Sequence, residues 1–389
     1  MTLFDPDAES IGLRAMQYAE PIFNYYNRST RASVIRIREL LEDWFAAYPN
    51  EASEDLRQRF RSPIAGQHRG AFFELYLHRL VTRVGYVVEI HPEIEDEDTH
   101  PDFELLKNGM RQFYLEATIT ADSKEKIAQQ QRADQVYDAL NRLRSPDFFL
   151  TIRVRGAPAT PPPGARLRSR LERWLEGMNW DEIAQLCERG GFDALPTFPW
   201  EHDGWSLLIQ PWPKAPEQRG SQDIRPVALT MPTTVRQLTL NEDIRNAVEV
   251  KNKYGELEVP LVVAINVTDE FRPDKTDVMN GLLGQETVIF GPGPARPGPR
   301  NPDGAWYGPR GARNTTVSAV LVFPGLTAWN MGQTIPWLVH NPWARVGLPS
   351  DALPFPQYVA NHEDHTMVDK PGVPPYSFLH LQQPWPPED

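Results

Sequence analysis

Three carboxylates stand on three successive stretches of the chain: Glu74 in an apolar-periodic run, Asp102 directly after Pro101, and Glu116 in a run of strict alternation. Acids spaced over neighbouring elements, rather than clustered in one loop, are the pattern of a metal-binding acidic site on a small mixed sheet. A hard divalent cation prefers carboxylate oxygens and keeps several waters. The candidate ligands are therefore Glu74, Asp102 and Glu116.

The elements that must position them can be read in order. Ser62-Pro63 signals a helix start, and the helix runs to Val84 with Gly85 as its stop. Phe73, Leu77, Leu80 and Val84 form its core stripe. Glu74 lies beside that stripe, with Gly70 and His78 one turn to either side. A carboxylate among such residues needs a cation or a donor, which a salt bridge would also satisfy. Residues 86–91 read as a strand, EIEDEDTH as a polar turn, and 101–106 as a second strand. Lys107-Asn108-Gly109 reads as a tight hairpin turn. Residues 111–120 form the third strand, with Phe113, Leu115, Ala117 and Ile119 on one face and Tyr114, Glu116 and Thr118 on the other. Asp122, with Glu125 three residues on, reads as a helix cap, and that helix extends to Leu143. Pro146 breaks the chain, and 148–154 reads as a fourth strand.

Helix, three strands, helix, strand, with Glu on the first helix, Pro-Asp opening the second strand and Glu116-Ala117-Thr118 in the third, resembles the PD-(D/E)XK, or restriction-endonuclease-like, nuclease superfamily. The resemblance covers roughly 90 of the residues, as domain size allows. It implies an αβββαβ core with a mixed central sheet. It also implies Mg²⁺- or Mn²⁺-dependent hydrolysis of phosphodiester bonds, with Asp102 and Glu116 as ligands and Glu74 as a further ligand or water-positioning group. The ion would polarise the scissile phosphate and lower the pKa of a bound water. Nucleic acid, expected to be DNA, would be the partner, and restriction, repair or phage defence the setting.

The chain departs from that family at one position. Where the family usually carries Lys, two residues after the third-strand acid, this chain has Thr118. A hydroxyl can bond a water but brings no charge. Three substitutes are open. A cation can come from elsewhere, with Lys124 first and Lys126 or Arg132 behind it. A second metal can supply the charge. Or the scaffold binds without cutting, as a nucleic-acid- or protein-binding module.

The rest of the chain frames this core. The net charge of −12 does not advertise a nucleic-acid binder, but a local stripe can do the binding. Arg142, Arg144, Arg153, Arg155, Arg166, Arg168, Arg170 and Arg173 face only Asp147 and Glu172 over that span, as a phosphate grip or as solvated element faces. The segment 291–314 is rich in Gly and Pro and carries Arg296, Arg300, Arg310 and Arg313 beside Trp306 and Tyr307. It reads as a surface loop or as a grip that stacks a base. Residues 1–61 read as a helical lead-in, with Val34, Ile37, Leu41, Trp44 and Phe45 at helical spacing. Arg28, Arg31, Arg36 and Arg38 there are candidate phosphate contacts. The core is expected over 62–156, a proline-rich linker over 157–165, and a larger α/β region over 166–389. In that region 243–254 reads as a helix and 261–267 as a buried strand, hinting at extension of the same sheet. The single cysteine, Cys187, excludes an intramolecular disulfide and fits a reducing cytoplasm. His362 and His365 lack companions for structural zinc. No apolar run reaches the roughly 20 residues of a membrane span, so no membrane partner is expected. A tryptophan-rich C-terminal part leaves room for a homo-oligomer or a partner subunit.

Overall fold

The structure, a computed structural model, describes residues 1–94, 99–120, 123–221, 225–232, 240–269, 272–289, 296–361, 363 and 366–387. The chain forms two compact units. One comprises residues 1–14, 21–121 and 239–389, and the other 15–20 and 122–238.

Helices α1 (Ile22–Arg28), α2 (Ala32–Ala46), α3 (Asn50–Phe60) and α4 (Ala65–Val84) lead into strands β1 (Val87–Ile90), β2 (Phe103–Lys107) and β3 (Met110–Ile119). The second unit follows with α5 (Lys124–Asn141), β4 (Phe148–Arg155), α6 (Gly164–Glu176), α7 (Trp180–Gly190), β5 (Phe198–His202), β6 (Trp205–Pro213) and β7 (Val227–Pro232). The first unit resumes with α8 (Leu240–Lys251), β8 (Leu261–Val267) and α9 (Lys275–Leu283). Two small hairpins come next, β9 (Val288–Ile289) with β10 (Arg296–Pro297), and β11 (Tyr307–Gly308) with β12 (Gly311–Ala312). The chain closes with β13 (Val317–Pro324), β14 (Trp337–His340), β15 (Gln357–Asn361), β16 (Thr366–Lys370) and α10 (Pro375–Phe378).

The first unit is a mixed α/β layer structure on an eight-stranded sheet, ordered β1-β2-β3-β8-β13-β14-β15-β16. Strands β3, β8 and β13 run parallel, while β1, β2 and β3 form an antiparallel meander. Helix α4 covers one face. Its Phe73 and Tyr76 meet Phe323 of β13 edge-on, with ring centroids 5.3 and 5.6 Å apart. Helices α8 and α9 cover the other face, where Ile244, Val248, Val278 and Leu282 pack with Val263, Ile265, Val320 and Val322. Every residue of β8 is buried, as expected of a parallel strand covered on both faces, which reads as an unbroken apolar run. Gly85, at φ +110°, ends α4 in the left-handed conformation that a Cβ disfavours. Asn108 and Gly109 both take positive φ in the β2–β3 turn, as a tight hairpin requires.

One expectation is overturned here. The strand beside β3 is β8, not the segment 148–154, and the helix that precedes it is α8, not the helix following Glu116 in sequence. Residues Tyr114 to Ile119 pair in parallel with Leu261 to Asn266. Strand β4 belongs to a separate four-stranded sheet, ordered β5-β6-β4-β7. The cause lies in the faces. Phe148, Leu150 and Ile152 bury one side of β4 against Leu167 and Leu171 of α6 and Tyr137 and Leu140 of α5. Residues 157–165 lie inside this second unit. Helix α5 is capped by Ser123, whose hydroxyl accepts from the Lys126 N–H; Asp122, expected as the cap, lies outside the described residues. So do His362 and His365. No helix among the described residues is long and apolar enough to cross a membrane.

Candidate active site

The β2–β3 hairpin brings Asp102 and Glu116 to one end of the sheet. Phe103 pairs with Leu115, so Asp102, one residue before β2, comes level with the end of that pairing. The backbone N–H of Ala117 donates to Asp102 Oδ2 at 2.6 Å. That bond fixes the carboxylate against β3, one residue beyond Glu116. Glu116 itself points to the α8 side, in register with Val263, and is fully buried.

A fully buried carboxylate must be paired or protonated. Glu116 is held by three groups from the end of α8 and the turn after it. Lys251 Nζ bonds Oε2, the Tyr254 hydroxyl donates to Oε1, and Lys253 Nζ lies 3.4 Å from Oε1. Lys251 Nζ also lies 3.4 Å from Asp102 Oδ2. One ammonium thus stands between two carboxylates. Lys251 is the last residue of α8, where the helix dipole favours a cation. Burial is the strongest influence on its pKa and works to lower it, but Asp102 and Glu116 together outweigh burial and hold it above the ordinary value. Glu116 is held above the usual carboxylate range, first by burial and then by repulsion from Asp102, with Lys251 and Tyr254 working against both. The centre is not sealed: the side chains of Asp102 and Lys251 are 23% and 17% exposed.

Glu74 is buried on α4, in a stretch, residues 71–78, that is buried throughout. Its Oε2 receives Arg59 of α3 at 2.8 Å, and its Oε1 receives the Tyr48 hydroxyl at 2.7 Å. Arg59 is itself shared with Asp55. Both oxygens of Glu74 therefore have partners inside the helical layer. Among the described residues no three His, Cys, Asp or Glu side chains converge as a metal-holding group. The Tyr48 ring packs edge-on against His78 at 4.8 Å. Burial drops the His78 pKa to about 4.

The positive charge beside Asp102 and Glu116 comes from Lys251 and Lys253, not from position 118. Thr118 sits half-buried on β3, its hydroxyl 3.4 Å from the Ile119 carbonyl. Lys124, the first expected substitute, opens α5 in the second unit together with Lys126, and Arg132 of the same helix donates to the Pro158 carbonyl. The signal for Lys251 was present in the sequence. Leu240, Ile244, Ala247 and Val248 form the apolar stripe of α8, and Lys251 continues that stripe at i+3 and i+4. A lysine in that position must find an anion in the interior.

The expected substrate contacts are scattered. Arg153 and Arg155 lie on β4, and Arg168 and Arg170 on α6, all in the second unit. Arg155 and Arg170 are exposed. Arg153 reaches Asp193 at 3.3 Å, and Arg170 stands over the Phe198 ring. In the first unit Arg310 is exposed, whereas Arg313 is taken up by Glu249 and the Gly304 carbonyl. Trp306 is fully buried in the core and cannot stack a base. Of the lead-in arginines, Arg28 bonds the Glu9 carbonyl, Arg36 pairs with Glu39, and Arg38 bonds the Tyr26 carbonyl. The Cys187 thiol on α7 is pushed up, by burial and then by Glu188, which makes it a poor nucleophile.

Asp102 and Glu116 are donors of the kind a hard cation takes, since Mg²⁺ commonly binds one or two protein carboxylates and completes its shell with waters and phosphate oxygens; the Lys251 ammonium between them opposes a further cation. Comparison with family models, with curated proteins and with solved structures gives no match to this chain.

Proposed function

We propose that the chain is a metal-dependent nuclease hydrolysing phosphodiester bonds of DNA, with a restriction-endonuclease-like core in the first unit. The order α4, β1, β2, β3, α8, β8 supports this reading, with the whole of residues 122–238 as an insertion between β3 and α8. The observation that carries it is the position of Lys251 Nζ between Asp102 and Glu116. It supplies from α8 the charge that the family pattern would have supplied from position 118.

Asp102 and Glu116 would hold Mg²⁺ or Mn²⁺, which, when bound, polarises the phosphate and lowers the pKa of its water. Lys251 stays protonated, because its neighbours raise its pKa. It therefore acts as a hydrogen-bond donor and charge carrier, not as a general base. From Nζ it can hold the attacking water or a non-bridging phosphate oxygen, where developing negative charge is stabilised. Tyr254 fixes the orientation of Glu116 through Oε1. Lys253, at the rim, can take a neighbouring phosphate of the strand. Exposed Arg310 of the first unit, and separately Arg155 and Arg170 of the second, are the remaining candidate phosphate contacts.

One observation favours a second reading, a non-catalytic binding module. Lys251 and Lys253 together already balance the charge of Asp102 and Glu116 without an ion. The two readings separate in one assay. Purified protein is incubated with supercoiled and linear DNA in Mg²⁺ or Mn²⁺, with and without chelator. Cutting that needs the metal and disappears in Asp102→Asn and Glu116→Gln supports the nuclease. DNA binding that is indifferent to chelator, with no cutting under any condition, supports the module.

A further inference from the structure

A cavity of about 800 Å³ opens in the first unit along α9, the segment after it, and the β15–β16 hairpin. It falls within the roughly 300–1,000 Å³ typical of small-molecule sites. Tyr307 and Trp343 line it together. Their rings lie nearly parallel, 21° apart in plane, with centroids 5.7 Å apart. Trp343 keeps 39% of its surface exposed, unlike Trp306, which is wholly buried one residue from Tyr307. An indole braced from one side and open to a concavity offers its face to a flat ring. Met279 and Met367 also line the cavity, and thioethers adapt to the edges and faces of aromatic rings.

Charge narrows the ligand further. Among the described residues two cations line the cavity, Lys275 and Arg300. Arg300 is occupied: it pairs with Glu286 and donates to the Gly284 carbonyl at 2.6 Å and to Asn280 Oδ1 at 3.1 Å. Lys275 is held differently. Its ammonium stands 4.4 Å from the centroid of the Tyr358 ring. A cation steadied by an aromatic face keeps its full charge for an anion.

We propose that this cavity binds an unpaired nucleotide, with its base stacked on Trp343 and its phosphate at Lys275. The chemistry is the same for a free mononucleotide and for one nucleotide of a single strand. The inference does not rest on the nuclease reading, since it uses none of Asp102, Glu116 or Lys251.

The test is calorimetric titration of the full chain in excess chelator, which keeps any cleavage out of the measurement. The probes are nucleoside 5′-monophosphates, the same nucleosides without phosphate, ribose 5-phosphate, and a short single-stranded oligodeoxynucleotide. The mononucleotides are expected to bind. Loss of the phosphate or of the base should each weaken binding about tenfold, in line with the usual worth of one stacked base. Trp343→Ala and Lys275→Ala should each do the same, while Trp343→Phe keeps most of the affinity. Both residues are at the surface, so the variants test binding rather than folding. An oligonucleotide that binds about tenfold or more tighter than the mononucleotide assigns the site to a strand; equal affinity assigns it to the free nucleotide. No binding of any probe at millimolar concentration overturns the proposal, and so does binding that Trp343→Ala and Lys275→Ala leave unchanged.

Discussion

Replacing Lys251 by methionine keeps an apolar stem at the end of α8 and removes the charge between the two carboxylates. At 3.4 Å from Asp102 Oδ2, one such attraction amounts to about 5 kcal/mol at an effective dielectric constant near 20, before the cost of desolvation. Taking one partner from a buried pair leaves a net loss of about 3–5 kcal/mol. Lys253 remains within 3.4 Å of Glu116, so the loss should fall toward the lower end, near 3 kcal/mol. For a unit of this size, at about 2 °C per kcal/mol, the unfolding midpoint should drop by about 6 °C. Scanning calorimetry in chelator reads that drop directly. Adding Mg²⁺ should restore part of it in the variant, because a dication can then sit where the ammonium stood, and should raise the wild-type midpoint by less. A Lys251→Met protein that unfolds at the wild-type temperature in chelator would refute the reasoning, since the carboxylates would then be held together by something else.

Three further outcomes are expected. Arg59→Ala strands the buried Glu74 and should cost about 3 kcal/mol in urea unfolding; an effect below about 0.5 kcal/mol would mean that Tyr48 alone satisfies it. Glu74→Gln should leave the affinity for Mg²⁺, read by calorimetric titration, unchanged while Asp102→Asn weakens it, and an equal loss in both would place Glu74 in the ligand set. Acid should weaken the first unit through His68 and His78, both held near pKa 4, chiefly by burial. Their folded values lie below the unfolded value, so this stability is complete above about pH 6.5 and is lost as pH falls from there toward 4, by about 3 kcal/mol for each. His78→Phe should flatten that limb of the pH–stability curve by half, and an unchanged curve would contradict it.

Much of the local structure was legible from periodicity. The alternation of 111–120 and the Asn108-Gly109 turn lead to the β2–β3 hairpin, and the apolar run 261–267 gives β8 within its observed bounds. Partner choice was not legible. Residues 148–154 and 261–267 both follow an amphipathic helix, and either could lie beside β3. What decides between them is burial on both faces. Strand β8 carries Val262, Val263, Ala264 and Ile265 in succession, whereas β4 alternates with Thr151, Arg153 and Arg155, which suits a sheet covered more fully on one side. The same choice carried Lys251 away from view. Once α8 rather than α5 is the helix before the closing strand, the search for a cation moves from residue 124 to residue 251. The fate of Glu74 depended on Arg59 and Tyr48, whose approach is tertiary and leaves no trace in the spacing of α4 itself. Arg313 and Trp306 likewise look like ligand-binding residues in a glycine-rich loop, and turn inward because the loop folds back over α9 through the Ala305 and Trp306 N–H groups.

The most direct measurement is cleavage of DNA by the wild type and by Glu116→Gln, side by side, in Mg²⁺ or Mn²⁺. The wild type should cut and lose all cutting in chelator, and Glu116→Gln should be inactive while unfolding cooperatively and binding DNA as the wild type does. Metal-dependent cutting that survives in Glu116→Gln would place the chemistry elsewhere in the chain, and a wild type that never cuts would leave the Asp102–Lys251–Glu116 centre a structural ion-pair network.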